Sequence, residues 1–248
     1  MPKAAGKALY RRILIKLSGE AMCEDAGFGI SPEKMDRFAG EIEVLLGQAD
    51  CQVALVIGAG NILRGSDLTA AGVDRVTADQ IGMLGTVMNC LAMQDSLERR
   101  GMPARVMSAV QIHEVCEDYV RRRAIRHLER KRIVLFAAGL GNPFFTTDTA
   151  ASLRAVEIGA DLLIKATKVD GIYSGNPSQD RGARRYRSLH YDEVLERRLQ
   201  VIDATAVVLC RDNDMPLRVI DMNRRQSFLR AVQGDDEGTL VFSAGRAS

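Results

Sequence analysis

The sequence predicts an α/β fold, a three-layer αβα sandwich around a central, mainly parallel sheet. Short apolar, β-branched runs alternate with helical patterns along the chain, and this strand, helix, strand repetition is typical of parallel sheets covered on both faces. The 248 residues have a hydrophobic content of 46%, which is enough to bury the core of one domain. We therefore expect a single domain, with a lobe boundary near residues 142–148.

Six apolar runs are predicted strands: residues 13–17, 53–57, 104–107, 133–137, 162–165 and 217–220. Ser31 and Pro32 predict the start of a helix that extends to about residue 46, because serine is a favoured N-cap and proline suits the first turn. A second helix is predicted from about residue 78 to residue 100, where Gly101 ends it.

The composition argues against several classes of protein. Lys and Arg total 34 against 32 Asp and Glu, so the net charge of +2 gives no general attraction to nucleic acid or to a membrane. The five cysteines are scattered without a CxxC pair, which argues against a disulfide framework or a zinc site and favours the reducing cytoplasm. No stretch predicts a signal peptide or a transmembrane helix. We expect a cytoplasmic protein that binds neither nucleic acid nor membrane.

Lys16 ends the first predicted strand and is followed by Leu17, Ser18 and Gly19. Ligands of open α/β sheets bind at the carboxyl edge of the strands, where a lysine and the amides of a glycine turn suit a phosphate. An ordinary strand-end lysine followed by a turn is the alternative. The motif is thus a candidate phosphate site.

The second strand also ends in a glycine turn, Gly58-Ala59-Gly60-Asn61, which could hold an anion. A Rossmann dinucleotide motif is excluded, because Leu63 replaces the third glycine and no acidic residue ends a following strand about 20 residues later. Arg64 could bind a phosphate through two hydrogen bonds, and a solvated arginine is the alternative.

The loop GLGNPFFTTD at residues 139–148 has an unusual composition. Two aromatic rings beside two hydroxyl groups and a helix start can hold an apolar ring and its attached phosphate. In the alternative interpretation, Thr147 or Asp148 only caps the helix predicted over residues 150–158, and the two phenylalanines fill the core.

A second lysine, Lys165, ends the fifth predicted strand in the sequence KATKVDG. Two strand-end lysines can neutralise a phosphoryl group from two sides, which is what phosphoryl transfer chiefly requires. The chain has no Walker A motif and no protein-kinase HRD and DFG set, so P-loop kinases and protein kinases are excluded. We expect a kinase whose phosphate site is assembled from several loops, with Mg²⁺ arriving with ATP and no dedicated set of protein metal ligands.

Five motifs together resemble the UMP kinase branch of the amino acid kinase superfamily: KLSGE, VIGAGN, DQIGMLGTVMN, GNPFFTTD and KATKVDG. GNPFFTTD followed by KATKVDG is the specific part, whereas KLSG and VIGAGN are shared across the superfamily. The resemblance implies transfer of the γ-phosphoryl group of ATP to UMP in pyrimidine nucleotide biosynthesis. It also implies a homohexamer with GTP as activator and UTP as inhibitor. The predicted helix over residues 81–97 favours an oligomer too, because it has more apolar surface than one covered face requires.

The resemblance implies roles for individual residues. Those implied at ATP are Lys16, Leu17, Ser18, Gly19, Gly60, Arg64, Thr167, Tyr173 and Asn176. Those implied at UMP are Ala59, Asp79, Leu140, Gly141, Asn142, Pro143, Phe144, Phe145, Thr146 and Thr147. The implied catalytic residues are Lys16, Lys165, Asp148 and Asp203, the last of which could orient the two lysines or only cap a helix. About residues 11–140 would form the UMP-binding and oligomerisation side, and about residues 141–248 the ATP-binding side.

The residues implied at the effector site are Gly27, Phe28, Gly29, Arg105 and Arg132. An ordinary loop is the alternative for the first three, and a solvated basic face is the alternative for the arginines. Three residues depart from the family pattern: Ala59 replaces a glycine, Leu140 a common threonine and Asn176 a common aspartate.

Two other functions stay open from the sequence. A sister enzyme that phosphorylates a carboxylate or carbamate would share the lysines and glycine turns, but would not need the GNPFFTTD loop or Asp79. A non-catalytic nucleotide or oxyanion sensor could keep the glycine turns and lose a lysine or Asp203, whereas this chain keeps them all.

Overall fold

A nine-stranded sheet forms the centre of the structure, a computed structural model that describes residues 8–24, 27–63, 65–175, 182–199 and 202–243. Its strands are β1 (Arg12–Leu17), β2 (Gln52–Ile57), β3 (Ala104–Ser108), β4 (Glu117–Asp118), β5 (Ile133–Ala137), β6 (Leu162–Thr167), β7 (Ser188–His190), β8 (Leu217–Asp221) and β9 (Thr239–Phe242). Their spatial order is β4-β3-β5-β2-β1-β6-β8-β9-β7, and every neighbouring pair is parallel except β8 and β9.

Helices cover both faces of this sheet: α1 (Pro32–Gln48), α2 (Gly65–Ala70), α3 (Arg75–Arg99), α4 (Arg121–Glu129), α5 (Thr147–Ile158), α6 (Tyr191–Glu196), α7 (Ala204–Asp212) and α8 (Ser227–Gln233). Apolar residues of α1, α3 and α8 share one core with Ile13 and Ile15 of β1. Those of α4, α5, α6 and α7 share the other core with Leu14. This alternation follows from the two-residue period of a strand, and the predicted three-layer αβα sandwich is confirmed. Within the described ranges, no helix is long and apolar enough to cross a membrane.

The six predicted strands are present, whereas β4, β7 and β9 were not predicted. Each has at most four residues, so the apolar pattern is too short to stand out. The predicted start of α3 at about residue 78 is wrong. The helix begins at Arg75, because the Asp74 carboxylate accepts the backbone N–H groups of Val76 and Thr77 as an N-cap.

The carboxyl ends of β1, β2, β5 and β6 lie at the same sheet edge, because these strands are parallel neighbours in the order β5-β2-β1-β6. The loops that follow them therefore converge there. They contain the segments KLSGE, VIGAGN, GNPFFTTD and KATKVDG, and α5 begins directly after the third loop.

Candidate active site

Lys16 and Lys165 lie side by side at the ends of β1 and β6, where they are partners in the parallel register. Asp148, in the first turn of α5, contacts both. Its Oδ1 lies 2.7 Å from Lys16 Nζ, and its Oδ2 lies 2.7 Å from Lys165 Nζ. The structure thus brings three of the four predicted catalytic residues into one ion-paired cluster.

The charges of this cluster depend on one another. Burial is the largest single influence on Asp148 and favours its neutral form, yet the two ammonium groups together hold the pKa of this carboxyl below its usual value. Desolvation lowers the pKa of Lys165, while attraction to Asp148 opposes that shift. Like charges directly opposite each other in a sheet are destabilising. The Asp148 carboxylate offsets that repulsion and lets two cations share one edge.

Asp203, the fourth predicted catalytic residue, is the N-cap of α7 and accepts the Ala206 N–H at 3.0 Å. The hydroxyl groups of Thr146 and Thr149 also donate to its carboxylate, which links α7 to the start of α5. Asp203 thus caps α7, and its charge also opposes the desolvation that lowers the pKa of Lys165. The carboxylate placed between the lysines is Asp148.

Thr146 is the N-cap of α5, since its Oγ1 accepts the N–H groups of Asp148 at 3.1 Å and Thr149 at 3.2 Å. The alternative in which Thr147 or Asp148 caps this helix is wrong by one or two residues. Because Thr146 satisfies these amides, the Asp148 side chain is left to contact the lysines.

The glycine turns after β1 and β2 pack directly against each other. A Cβ on Gly19 would lie 2.5 Å from both the Gly58 carbonyl oxygen and the Gly60 nitrogen, so no other residue fits there without moving the turn. Ala59 is buried, and a Cβ on Gly85 of α3 would lie 2.9 Å from the Ala59 methyl group. The Ala59 departure is therefore accommodated by a glycine in α3.

A cavity of about 650 Å³ extends from the lysines along the carboxyl edge. Its lining includes four residues predicted at ATP: Lys16, Ser18, Thr167 and Tyr173. Apolar side chains that were not predicted also line it: Val169, Ile172, Leu199, Val219 and Met222. This combination suits a planar base at one end and a phosphate chain at the other. The Leu17 side chain is fully buried in the core, so only its backbone lies at the edge. Arg64 and Asn176 lie outside the described residues.

Asp79, a residue of α3, contacts the predicted UMP loop at residues 139–148. Its Oδ2 accepts the Phe144 N–H at 2.8 Å and the Arg75 Nε–H at 2.9 Å. Asp79 and Arg75 also line a hollow of about 430 Å³ with Gly65, Thr69 and Ala70. Phe144 and Phe145 are both exposed, so the alternative in which they fill the core is wrong.

The start of the same loop has left-handed backbone at Ala138 (φ 59°), Gly139 and Gly141, and Phe144 (φ 71°) repeats it near the end. Such conformations are costly for residues other than glycine and persist where surrounding contacts fix them. The Ala138 N–H donates to Thr86 Oγ1 at 2.7 Å, and Asp79 holds Phe144. Two α3 side chains thus hold both ends of the loop. The side chains of Leu140, Asn142, Pro143 and Thr147 are partly or fully exposed between them or just beyond.

The predicted effector residues fall in two places. Arg105 lies 3.9 Å from Glu117, and Arg132 contacts His127, whose Nε2 lies 3.2 Å from the same carboxylate. Gly27 and Gly29 have left-handed backbone, and Phe28 between them is exposed. The Gly29 N–H donates to the Asn61 carbonyl, so this turn lies beside the glycine turn of β2.

No group of three or more His, Cys, Asp or Glu side chains with metal-binding geometry occurs within the described part of the chain. Mg²⁺ commonly retains water and binds substrate phosphates through few protein ligands. The donor set is compatible with a Mg²⁺ ion held mainly by nucleotide phosphates.

The fold agrees with comparison to known proteins. The chain belongs to the amino acid kinase family, whose sequence profile matches residues 11–221. A uridylate kinase of Methylococcus capsulatus is 60% identical over 233 residues, covering 94% of this chain and 97% of the relative. Another, from Xanthomonas oryzae pv. oryzae, is 58% identical over 232 residues, covering 94% and 96%.

Solved structures of UMP kinases have a similar fold. The crystal structure of a UMP kinase from Bacillus anthracis matches with a TM-score of 0.90 at 37% identity, covering 95% of this chain and 97% of the other. A UMP kinase from Ureaplasma parvum matches with a TM-score of 0.88 at 29% identity, covering 94% and 99%.

Proposed function

We propose that this chain is a UMP kinase, which transfers the γ-phosphoryl group of ATP to UMP and gives ADP and UDP for pyrimidine nucleotide biosynthesis. The observation that carries this proposal is the cluster in which Asp148 holds Lys16 and Lys165 together at the edge of a nucleotide-sized cavity. The extensive identity with uridylate kinases supports UMP as the acceptor.

In this mechanism the two lysines stabilise charge that spreads over the γ-phosphoryl oxygens during in-line transfer. Asp148 orients both ammonium groups before the substrate arrives, so little reorganisation is needed in the transition state. Asp203 links the start of α7 to the start of α5, because it accepts hydrogen bonds from two threonine hydroxyl groups. The transfer is direct and needs no protein nucleophile.

ATP occupies the 650 Å³ cavity, with its adenosine beside Thr167 and Tyr173 and its phosphates near Ser18 and Lys16. Gly19 follows Ser18 in the same turn. The backbone of Leu17 and the turn at Gly60 complete the phosphate site. Mg²⁺ bound to the ATP phosphates would neutralise part of their charge. About residues 141–248 form most of this side, and about residues 11–140 form the UMP and oligomerisation side.

UMP occupies the hollow beside Asp79. The loop from Leu140 to Thr147 lies next to it, since the Phe144 N–H donates to Asp79. The Asp79 carboxylate accepts hydrogen bonds from the ribose hydroxyl groups, and the exposed Phe144 and Phe145 rings cover the nucleotide. Ala59 offers its backbone N–H to phosphate at the junction of the two sites.

The enzyme works as a cytoplasmic homohexamer, with GTP as activator and UTP as inhibitor. Five free cysteine thiols suit a reducing compartment. An apolar strip on α3, formed by Ile81, Leu84 and Met88, is exposed and supports assembly. Arg105 and Arg132, which are linked through Glu117 and His127, provide cationic groups for the phosphates of an effector.

A coupled assay of ADP formation tests the proposal with ATP and Mg²⁺ plus UMP, CMP or acetylglutamate as acceptor. We expect turnover with UMP and little with acetylglutamate. Phosphorylation of acetylglutamate alone would identify a carboxylate kinase. Nucleotide binding without turnover of any acceptor would favour a sensor.

A further inference from the structure

Two buried asparagines pair through their side-chain amides between β2 and α3. Asn61 Nδ2 donates to Asn89 Oδ1 at 2.9 Å, and Asn89 Nδ2 donates to Asn61 Oδ1 at 2.7 Å. Asn61 is 1% exposed and Asn89 is fully buried. A buried amide without hydrogen-bond partners is costly, and in this pair each amide satisfies the other.

Each amide also binds a backbone carbonyl. Asn89 Nδ2 donates to the Gly58 oxygen at 2.7 Å, and Asn61 Nδ2 donates to the Gly29 oxygen at 2.8 Å. These acceptors fix which side-chain atom is nitrogen, since the reverse orientation would place Asn89 Oδ1 against the Gly58 carbonyl. All four N–H donors of the pair therefore have partners.

The contact with Asn89 sets the plane of the peptide between Gly58 and Ala59. The Gly58 carbonyl points toward α3, and no cis peptide bond occurs among the described residues, so the Ala59 N–H points the opposite way. On that opposite side, the Thr147 hydroxyl lies 3.5 Å from the position of a Cβ on Gly58. The Ala59 N–H is thus directed to the side of the sheet where α5 begins and Asp148 holds the lysines.

We propose that Asn89 is a positioning residue for phosphoryl transfer, which fixes the Gly58–Ala59 peptide so that the Ala59 N–H donates to a phosphate oxygen of the bound nucleotides. Asn89 contacts the turn from the side of α3 and does not itself contact a nucleotide. A donor that is already oriented stabilises developing charge without reorganisation. This inference rests on the proposed UMP kinase activity.

The test is steady-state kinetics of Asn89→Asp and Asn89→Ser. The aspartate keeps the size of the side chain and removes the amide donor to Gly58. The serine introduces no charge, so it tests the same donor if the aspartate variant does not fold. We expect kcat to fall roughly 10 to 100-fold while KM for ATP and UMP changes by less than about threefold.

Cys90→Ala is the matched control, because Cys90 is the next residue of the same helix, is equally buried and donates to the Phe136 carbonyl instead of the Gly58 carbonyl. It should lower the melting temperature and leave kcat unchanged in the folded protein. If the folded Asn89 variants also keep wild-type kcat, or change only KM, the positioning role is wrong. Absence of UMP turnover by the wild-type protein would instead overturn the proposed function.

Discussion

Lys16 and Lys165 are register partners on adjacent parallel strands, and this juxtaposition places two cations at one point of the sheet edge. Each lies two residues after a leucine of the α5-side core, Leu14 or Leu163, so the strand period directs both lysines to that face. Asp148 of α5 then lies within 2.7 Å of each ammonium group. This cluster of two lysines and one aspartate is thus a consequence of strand order, side-chain alternation and the position at which α5 begins.

Replacement of Lys16 by alanine should lower kcat severely, roughly 100 to 1,000-fold, because its charge is needed most as the phosphoryl group moves. UMP binding, measured by calorimetric titration, should survive. Lys131→Ala is the control, since Lys131 is exposed and pairs with Asp50 away from the sheet's carboxyl edge. A kcat for Lys16→Ala within about threefold of the wild-type value would contradict the assignment.

Replacement of Asp148 by asparagine should shift the alkaline limb of the kcat profile to lower pH. Desolvation lowers the pKa of Lys165, and attraction to Asp148 raises it. Without the carboxylate the pKa falls further, so Lys165 loses its proton earlier as pH rises. The measurement is kcat across neutral and alkaline pH at saturating substrates, with the exposed Asp50→Asn as control. A profile that superimposes on the wild type would show that Asp148 does not control this charge.

Much of this site could be predicted from the sequence because its motifs are local. Lys16 and Lys165 end apolar runs, and the glycine turns follow directly. That the two lysines are neighbours could not be predicted, since the order of strands in a parallel sheet is set by crossovers and not by local sequence. Thr86 and Asn89 were missed for a related reason, because their partners Ala138 and Gly58 are distant in the chain.

Other differences had a signal in the sequence. Asp74 precedes the observed start of α3 and is a favoured N-cap residue, so the helix start could have been predicted correctly. Thr146 is likewise a suitable cap for α5. With three consecutive candidates, Thr146, Thr147 and Asp148, propensity does not decide which residue caps the helix.

Replacement of Gly85 by alanine should destabilise the protein, because the new methyl group would lie 2.9 Å from that of Ala59. Overpacking typically costs about 1 to 3 kcal/mol, whereas glycine to alanine in an uncrowded helix stabilises by up to about 1 kcal/mol. Gly47→Ala in α1 is the control, since among the described residues no atom other than its chain neighbours and its own helix backbone lies within 4 Å of its added Cβ. Thermal unfolding should show opposite shifts for the two variants. Addition of Ala59→Gly should restore the stability of Gly85→Ala; failure to do so would contradict a direct clash.

The strip on α3 should form a subunit interface. Ile81, Leu84 and Met88 are 39%, 51% and 49% exposed and lie on one helical face by their spacing. Leu84→Glu should therefore lower the mass measured by light scattering, because a charge would be buried at the contact. Val208→Glu, an exposed aliphatic position on α7, is the control and should keep the wild-type mass. A wild-type monomer at micromolar concentration would refute the assembly.

Replacement of Asp79 by alanine should weaken UMP binding with little effect on ATP. The proposed hydrogen bonds from ribose hydroxyls to a carboxylate contribute about 1.5 to 3 kcal/mol, so KM for UMP should rise roughly 10 to 150-fold. Discrimination between UMP and dUMP should shrink, because the wild-type site leaves a charged acceptor partly unpaired when the 2′-hydroxyl is missing. Loss of the contact to the Phe144 N–H would loosen the loop in the same variant.

Asp74→Ala on the same helix shows how a residue with a purely structural role behaves, and so serves as the comparison for Asp79. Asp74 is the N-cap of α3, so its removal should cost about 1 kcal/mol of stability and leave nucleotide preference unchanged. Asp79→Asn keeps an acceptor for Phe144 but removes the charge, so it should retain the loop and still lose affinity for UMP. Steady-state kinetics with UMP, dUMP and ATP, beside melting curves, distinguish these cases. If Asp79→Ala behaves like Asp74→Ala, with a lower melting temperature and unchanged KM for UMP, Asp79 serves the fold and not the substrate.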